Sequence, residues 1–212
     1  MTDTPSCSKP SGAYHHGDLR AQLLDVAARL LRDEGEAGLS MRRLAQELGV
    51  SRTAPYHHFT DKNALLCALA EDGFRRLDRL MEEADFRADD PEPGLRRFVR
   101  GYLRFACDDP EQYELMFGRT LWKTGRPTES LTRVAHGCFR RYVDKLEADG
   151  IGAHLPGGTD ALRVAQASWA TLHGLCRLLL DGIYVDRQDM EAVSDQAVAL
   201  MLAAVRPAER TP

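Results

Sequence analysis

From Arg52 to Lys62 the chain reads Arg-Thr-Ala-Pro-Tyr-His-His-Phe-Thr-Asp-Lys, and the side chains with chemistry to offer are Arg52, Thr53, Tyr56, His57 and Lys62. Guanidinium and ammonium groups neutralise phosphate, a tyrosine hydroxyl donates to a phosphate oxygen, and a threonine can meet a thymine methyl while its hydroxyl bonds a base edge. Tyr56 and Lys62 are therefore assigned to phosphates, and Thr53 and His57 to bases. His58 and Phe59 are assigned to packing. Arg42, ten residues earlier, is left between a phosphate contact and a solvated side chain. Nothing suits bond-making chemistry: there is no phosphate-binding glycine loop, nucleophile elbow or His-Glu-x-x-His. The paired acids Asp89-Asp90 and Asp108-Asp109 fall at element ends, where helix caps are expected. Adjacent histidines, His15-His16 and His57-His58, point about 100° apart on a helix and do not converge on one ion. No catalytic site, metal or cofactor is expected.

Two short helices must hold these groups. Leu44, Leu48 and Val50 recur as one buried stripe, and Ala45 is small enough for a second helix to cross above it. Gly49 suits a left-handed helix stop, and Ser51 is placed to cap the next helix by accepting a backbone N–H. Pro55 then falls in a first turn, where little hydrogen bonding is lost, with its ring toward the core. Asp61 is expected to cap a further helix. Before this pair, Asp18 or Gly17 would cap a supporting helix with Leu23, Leu24, Ala27, Leu30 and Leu31 on one face, ending near Gly35.

The segment resembles the DNA-binding signature of TetR-family transcriptional regulators, with Tyr56, His58, Phe59, Lys62 and Leu65 in that family's spacing. The run from Tyr14 to Arg20 is similar to the leader of one branch, and Trp169 with His173-Gly174 resembles the Trp-His-Gly motif of a ligand domain in the same branch. The resemblance implies an all-α protein with a three-helix helix-turn-helix head and a C-terminal helical ligand-binding and dimerisation domain, about nine helices in total. The DNA-binding set is then Arg42, Ser51, Arg52, Thr53, Tyr56, His57 and Lys62.

The chain has 212 residues and a net charge of −4. Through residue 64, eight basic residues balance eight acidic ones, so the acidity belongs to the remainder. A neutral head binds phosphate only if its cations share a surface, and Arg42, Arg43, Arg52 and Lys62 are the candidates. Five scattered cysteines without a Cys-x-x-Cys pair exclude a disulfide framework. No run is long and apolar enough to span a bilayer, and the N-terminus has no signal core, so a cytoplasmic protein with no membrane partner is expected.

The division is 1–13 as a disordered arm, 14–60 as the DNA-binding domain, 61–206 as the effector-binding and dimerisation domain, and 207–212 as a tail. The arm's end, Tyr14 to His16, is a candidate backbone contact. A long helix from Asp61 into the eighties links head to body. After a break at Asp89, Asp90, Pro91 and Pro93, helices are expected from about Leu95 to Asp108, from Pro110 through Phe117, after 118–128 to near Gly150, around 160–183 and around 190–205, with 118–128 read as a loop. Phe105, Tyr113, Phe117, Trp122, Cys138, Tyr142, Trp169 and His173 lie on elements that can surround one cavity, which points to a hydrophobic or aromatic small-molecule effector. Trp169 and His173, four apart, either line that cavity or pack in the core. The last two long helices carry apolar surface to spare, which implies a homodimer on a palindromic double-stranded operator. The reading is a ligand-released repressor and not an enzyme; the alternative is an all-helical carrier or enzyme whose helix-turn-helix is incidental.

Overall fold

The computed structural model describes residues 19–84, 90–148 and 160–205, with the side chains of 204 and 205 left aside. The expected caps at Asp18 or Gly17, the contacts of Tyr14 to His16, the arm and the tail lie outside the described residues. Within them the chain forms eight α-helices and no strand: α1 (Leu19–Gly38), α2 (Met41–Glu47), α3 (Lys62–Glu83), α4 (Glu92–Asp108), α5 (Pro110–Phe117), α6 (Glu129–Ala148), α7 (Ala161–Asp181) and α8 (Met190–Val205). Single turns of 3₁₀-helix occupy Ala54–His57 and Arg187–Asp189, and a π-helical turn occupies Thr120–Thr124.

Three local features follow the sequence closely. The backbone of α1 leaves helical geometry at Gly35, with φ 68°. At the end of α2, Gly49 has φ +64°; its N–H bonds Gln46 C=O and that of Val50 reaches back to Ala45 C=O. This double closure needs a left-handed residue between the two donors. Asp61 caps α3 by accepting from the Ala64 N–H at 2.7 Å, and Asp160 caps α7 by accepting from that of Leu162 at 2.9 Å.

Three features differ. The third helix of the head is one 3₁₀ turn, because Pro55 in its first turn and the 3₁₀ bonds from Tyr56 and His58 to Thr53 and Pro55 carbonyls leave no room for an α-helical ladder. Ser51 does not cap it through its side chain: the Ser51 backbone C=O accepts from Ala54, and its hydroxyl lies 3.1 Å from that of Thr53. The 118–128 segment, expected to be a loop, contains the π turn.

The buried apolar residues form one cluster from Leu23 of α1 to Leu202 of α8. In the body α3 packs against α4, α5 and α6, while α4 packs against α7 and α8. Helix α4 presents Leu95, Phe98, Val99, Tyr102, Leu103 and Ala106 to this core, all buried. Gly73 permits the close crossing of α3 and α5, since a methyl group there would collide with the Met116 side chain. Head and body are tied by Asp109, a buried residue at the α4–α5 junction. Its Oδ2 accepts from Arg32 of α1 and Arg76 of α3, each at 3.1 Å. Asp109 makes no side-chain cap; its expected capping role is replaced by an ionic tie between three helices.

Candidate nucleic-acid interface and effector cleft

The head presents one continuous polar edge. Pro55 is the single buried residue of the 3₁₀ turn, and Phe59 behind it is buried under the Arg20 guanidinium, 5.2 Å from the ring centre. With these two anchored, Ser51, Arg52, Thr53, Tyr56, His57 and His58 all face solvent, Tyr56 with 54% of its surface exposed. The exposure of His58 corrects its assignment to packing. The sequence pairs it with Phe59, but in a turn of about three residues per repeat the neighbour of a buried residue is rotated outward.

The cations are sorted by their partners. Arg43 bonds Glu47 at 3.1 Å and Glu34 at 3.4 Å, and Arg29 bonds Glu47 at 2.7 Å. The Arg29 hydrogen bond, against the opposing effect of desolvation and with help from the charges of Arg43 and Arg29, holds the Glu47 carboxyl below its ordinary range. Lys62 is half-buried and donates to the Glu36 C=O at 2.7 Å, clamping the first turn of α3 to the end of α1. Of the four expected cations, Arg42 and Arg52 are exposed with no carboxylate partner among the described residues, whereas Arg43 and Lys62 are committed to holding the head together. Lys62 retains further N–H donors beyond the one given to Glu36.

In the body, two joined lobes form an open cleft beside α7. One, of about 330 Å³, is walled by Phe74, Met116, Phe117, Trp122, Ala135, His136, Phe139 and Trp169. The other, of about 360 Å³, shares Phe117, Phe139 and Trp169 and adds Gln166, Ala170 and His173. Of the eight expected lining residues, Phe117, Trp122, Trp169 and His173 are brought onto this wall. Tyr113, Cys138 and Tyr142 are fully buried in the layer behind it, and Phe105 lies under the Arg76 guanidinium on the wall of a separate cleft between α3 and α4. Their periodicity places them on the core face of their helices, and periodicity does not separate a core face from a cavity wall. Phe74, Met116, Ala135, His136 and Phe139 are lining residues the sequence did not single out; only the crossing of α3, α5 and α6 brings them together.

The wall is built rigidly. The Trp169 ring meets Tyr102, Phe139 and Tyr142 edge-on at 5.6, 5.6 and 5.3 Å between centroids. Trp122 is fixed by its indole N–H, which donates to Met116 C=O at 2.6 Å across the π turn. The next residues of that segment reach the head side of α3, where Asn63 donates to Arg126 C=O at 2.7 Å. The one imidazole shared with the core is that of His173. Its Nδ1 lies 2.7 Å from the Tyr113 hydroxyl, with the two rings stacked at 5.6 Å. Burial lowers the His173 pKa, assisted by Arg177 and opposed by Glu114. Burial likewise raises Tyr113 far above an ordinary phenol and pushes Tyr142 up to about 12. His173, Tyr113 and Tyr142 are neutral near pH 7, and among the described residues no carboxylate, lysine or arginine lines either lobe, so the cleft is an aromatic surface with few polar points. Among the described residues no group of His, Cys, Asp and Glu is placed to hold a metal ion, and no helix is long and apolar enough to cross a membrane.

Comparison with known proteins matches both ends of the chain. The profile for "Bacterial regulatory proteins, tetR family" covers residues 23–69, and that for "Tetracyclin repressor-like, C-terminal domain" covers 95–205. The HTH-type transcriptional repressor AcnR of Corynebacterium glutamicum is 35% identical over 97 residues, 46% of this chain and 45% of that protein; the chain thus matches about half the length of this relative. A solved structure of a protein of unknown function from Rhodococcus sp. RHA1 is 32% identical, with a TM-score of 0.78 over 93% of this chain and 100% of that one. The TetR-family regulator PfmR of Thermus thermophilus shares the fold at 24% identity, with a TM-score of 0.62 over 87% of this chain and 99% of its own.

Proposed function

We propose, from the premise that this chain belongs to the tetR family of bacterial regulatory proteins, that it is a cytoplasmic DNA-binding repressor released from its operator by a flat, hydrophobic small molecule. The observation that carries the DNA-binding reading is the exposed edge from Ser51 to His58, with Arg42 and Arg52 uncommitted beside it. Tyr56 and Lys62 take phosphates, and Thr53 and His57 meet base edges. The aromatic cleft is the effector site. Its occupant alters head position through the two ties that leave its walls, Asn63–Arg126 and Asp109 with Arg32 and Arg76; release requires only that the ligand favour one of two head arrangements.

A homodimer through α7 and α8 supplies the second head. Supporting it, Ala167, Ala170, Thr171 and Gly174 of α7 and Ala192, Ala199, Leu200 and Ala203 of α8 are exposed, Leu200 with 61% of its surface open. Small side chains let helices approach closely and Leu200 gains from burial, so a four-helix interface suits both faces. Two recognition turns then lie about 34 Å apart or somewhat more on one side of a duplex.

The test is selection of bound genomic fragments followed by fluorescence anisotropy on a selected duplex. Arg52→Ala is expected to weaken binding and to flatten the log–log salt dependence by about 0.9 for each phosphate that a head no longer neutralises, with an unchanged melting temperature. Wild-type affinity in the folded variant would remove the assigned edge from the interface. Failure of the wild type to select any duplex, with small-molecule turnover or carriage instead, would favour the alternative.

A further inference from the structure

Tyr102 and Tyr113 have no exposed surface, and the hydroxyl of Tyr102 finds its partner among the described residues in that of Tyr113, at 3.4 Å. Tyr113 in turn lies 2.7 Å from His173 Nδ1. Three polar groups in a row contain two phenolic protons, and a buried O–H without an acceptor is costly. If His173 Nδ1 carried a proton and donated it to Tyr113, one of the two phenolic protons would be left with no oxygen or nitrogen acceptor, only the Cys176 sulfur beside Tyr113, a weak one. The reverse direction gives both phenolic protons a full acceptor: Tyr102 O–H to Tyr113, Tyr113 O–H to His173 Nδ1. An imidazole accepting at Nδ1 while neutral must carry its proton on Nε2. Nε2 has no described partner and is not among the buried unsatisfied atoms, so it is open to solvent on a side chain that walls the cleft.

From this accounting we infer that the Tyr102–Tyr113–His173 chain locks His173 as an Nε2–H donor at the cleft, and that this donor selects uncharged flat ligands bearing a hydrogen-bond acceptor, such as an aromatic ketone. The inference rests on the cleft being the effector site and adds the ligand's chemical class. Tyr113 is a positioning residue, acting only through the imidazole. The surrounding surface reinforces the choice: Phe117, Phe139 and Trp169 offer ring faces and edges, and a ligand cation has no carboxylate on this wall to meet.

Long-range ¹H–¹⁵N spectra of the full-length protein, with His173 assigned from its absence in His173→Gln, report the tautomer directly. The expected pattern is an unprotonated Nδ1 and a protonated Nε2 at pH 7.5; a protonated Nδ1 overturns the inference. Equilibrium dialysis of two probes of nearly equal shape, 9-fluorenone with a carbonyl and fluorene without, reads the selection. Fluorenone is expected to bind roughly three- to tenfold more tightly, the value of one net hydrogen bond, and the preference is expected to disappear in His173→Phe, which keeps a ring but has no donor, and to shrink in the isosteric Tyr113→Phe. Equal binding of the two probes to a wild type showing the expected tautomer overturns the selection while leaving the effector cleft standing. A preference undiminished in Tyr113→Phe overturns the role of the chain. Failure of both probes to bind removes the cleft reading itself, and the inference with it.

Discussion

Asp109→Asn isolates the tie between the DNA-binding head and the body with little change of shape. In the native protein one carboxylate oxygen accepts from Arg32 and Arg76, each at 3.1 Å, while the Asp109 side chain is 7% exposed. A hydrogen bond to a charged group nets about 1.5–3 kcal/mol when both partners are shielded, and an exposed ion pair under about 1 kcal/mol. Arg32 is 52% exposed and Arg76 35%, so the first bond belongs near the lower figure and the second between the two. The substitution is therefore expected to cost about 1.5–2.5 kcal/mol in all. For a chain of this size that is a fall of about 3–10 °C in melting temperature. Urea unfolding followed by circular dichroism supplies the free energy, and the midpoint should fall at constant m-value. Double-mutant cycles with Arg32→Ala and Arg76→Ala then divide the cost, with the larger coupling expected for Arg76 because it is the less solvated. A variant that melts with the wild type, or a zero coupling in both cycles, would show that the head docks on the body without this carboxylate and would refute the reasoning.

Two further outcomes follow from the packing around the cleft. Gly73→Ala places a methyl group against the buried Met116; overpacking of about 1–3 kcal/mol outweighs a helix-propensity gain of about 1 kcal/mol, so thermal melting should show a net loss, and Met116→Ala in the same chain should relieve part of it. A stabilised Gly73→Ala would contradict the crossing. Because burial lowers the His173 pKa in the folded state, the unfolded chain binds the proton first as pH falls below about 6.5, and stability is lost from there down through the folded pKa. Chemical unfolding between pH 7.5 and 5 should show that loss, with a shallower one in His173→Gln; identical slopes would place the pH sensitivity elsewhere.

Much of the head was legible because its signals are local. Gly49 is left-handed and Asp61 caps α3 because each act depends on a residue and its near neighbours along the chain. Helix spans in the body were equally readable, since a period of 3.6 in apolar residues survives any tertiary arrangement. The same periodicity could not say whether Tyr113, Cys138 and Tyr142 wall a cavity or lie behind one, because a core face and a cavity wall carry the same residue types. Nor could it foresee that Asp109, read as a helix cap, joins two arginines from helices distant in sequence.

The amino-acid order by itself determined an all-helical chain, the position of the turn that presents Arg52 to His57, and two residues beside it, Gly49 that stops α2 and Asp61 that starts α3. Arg43 finds Glu47 four residues on in its own helix, but the tertiary structure alone decided that Arg43 also reaches Glu34 and that Lys62 is held by Glu36, contacts made only when α1, α2 and α3 meet. It also decided which aromatic rings enclose a space and which fill one. Both are questions of distance between segments far apart in the chain, and such distances are set by how whole helices pack, which no short window of sequence contains.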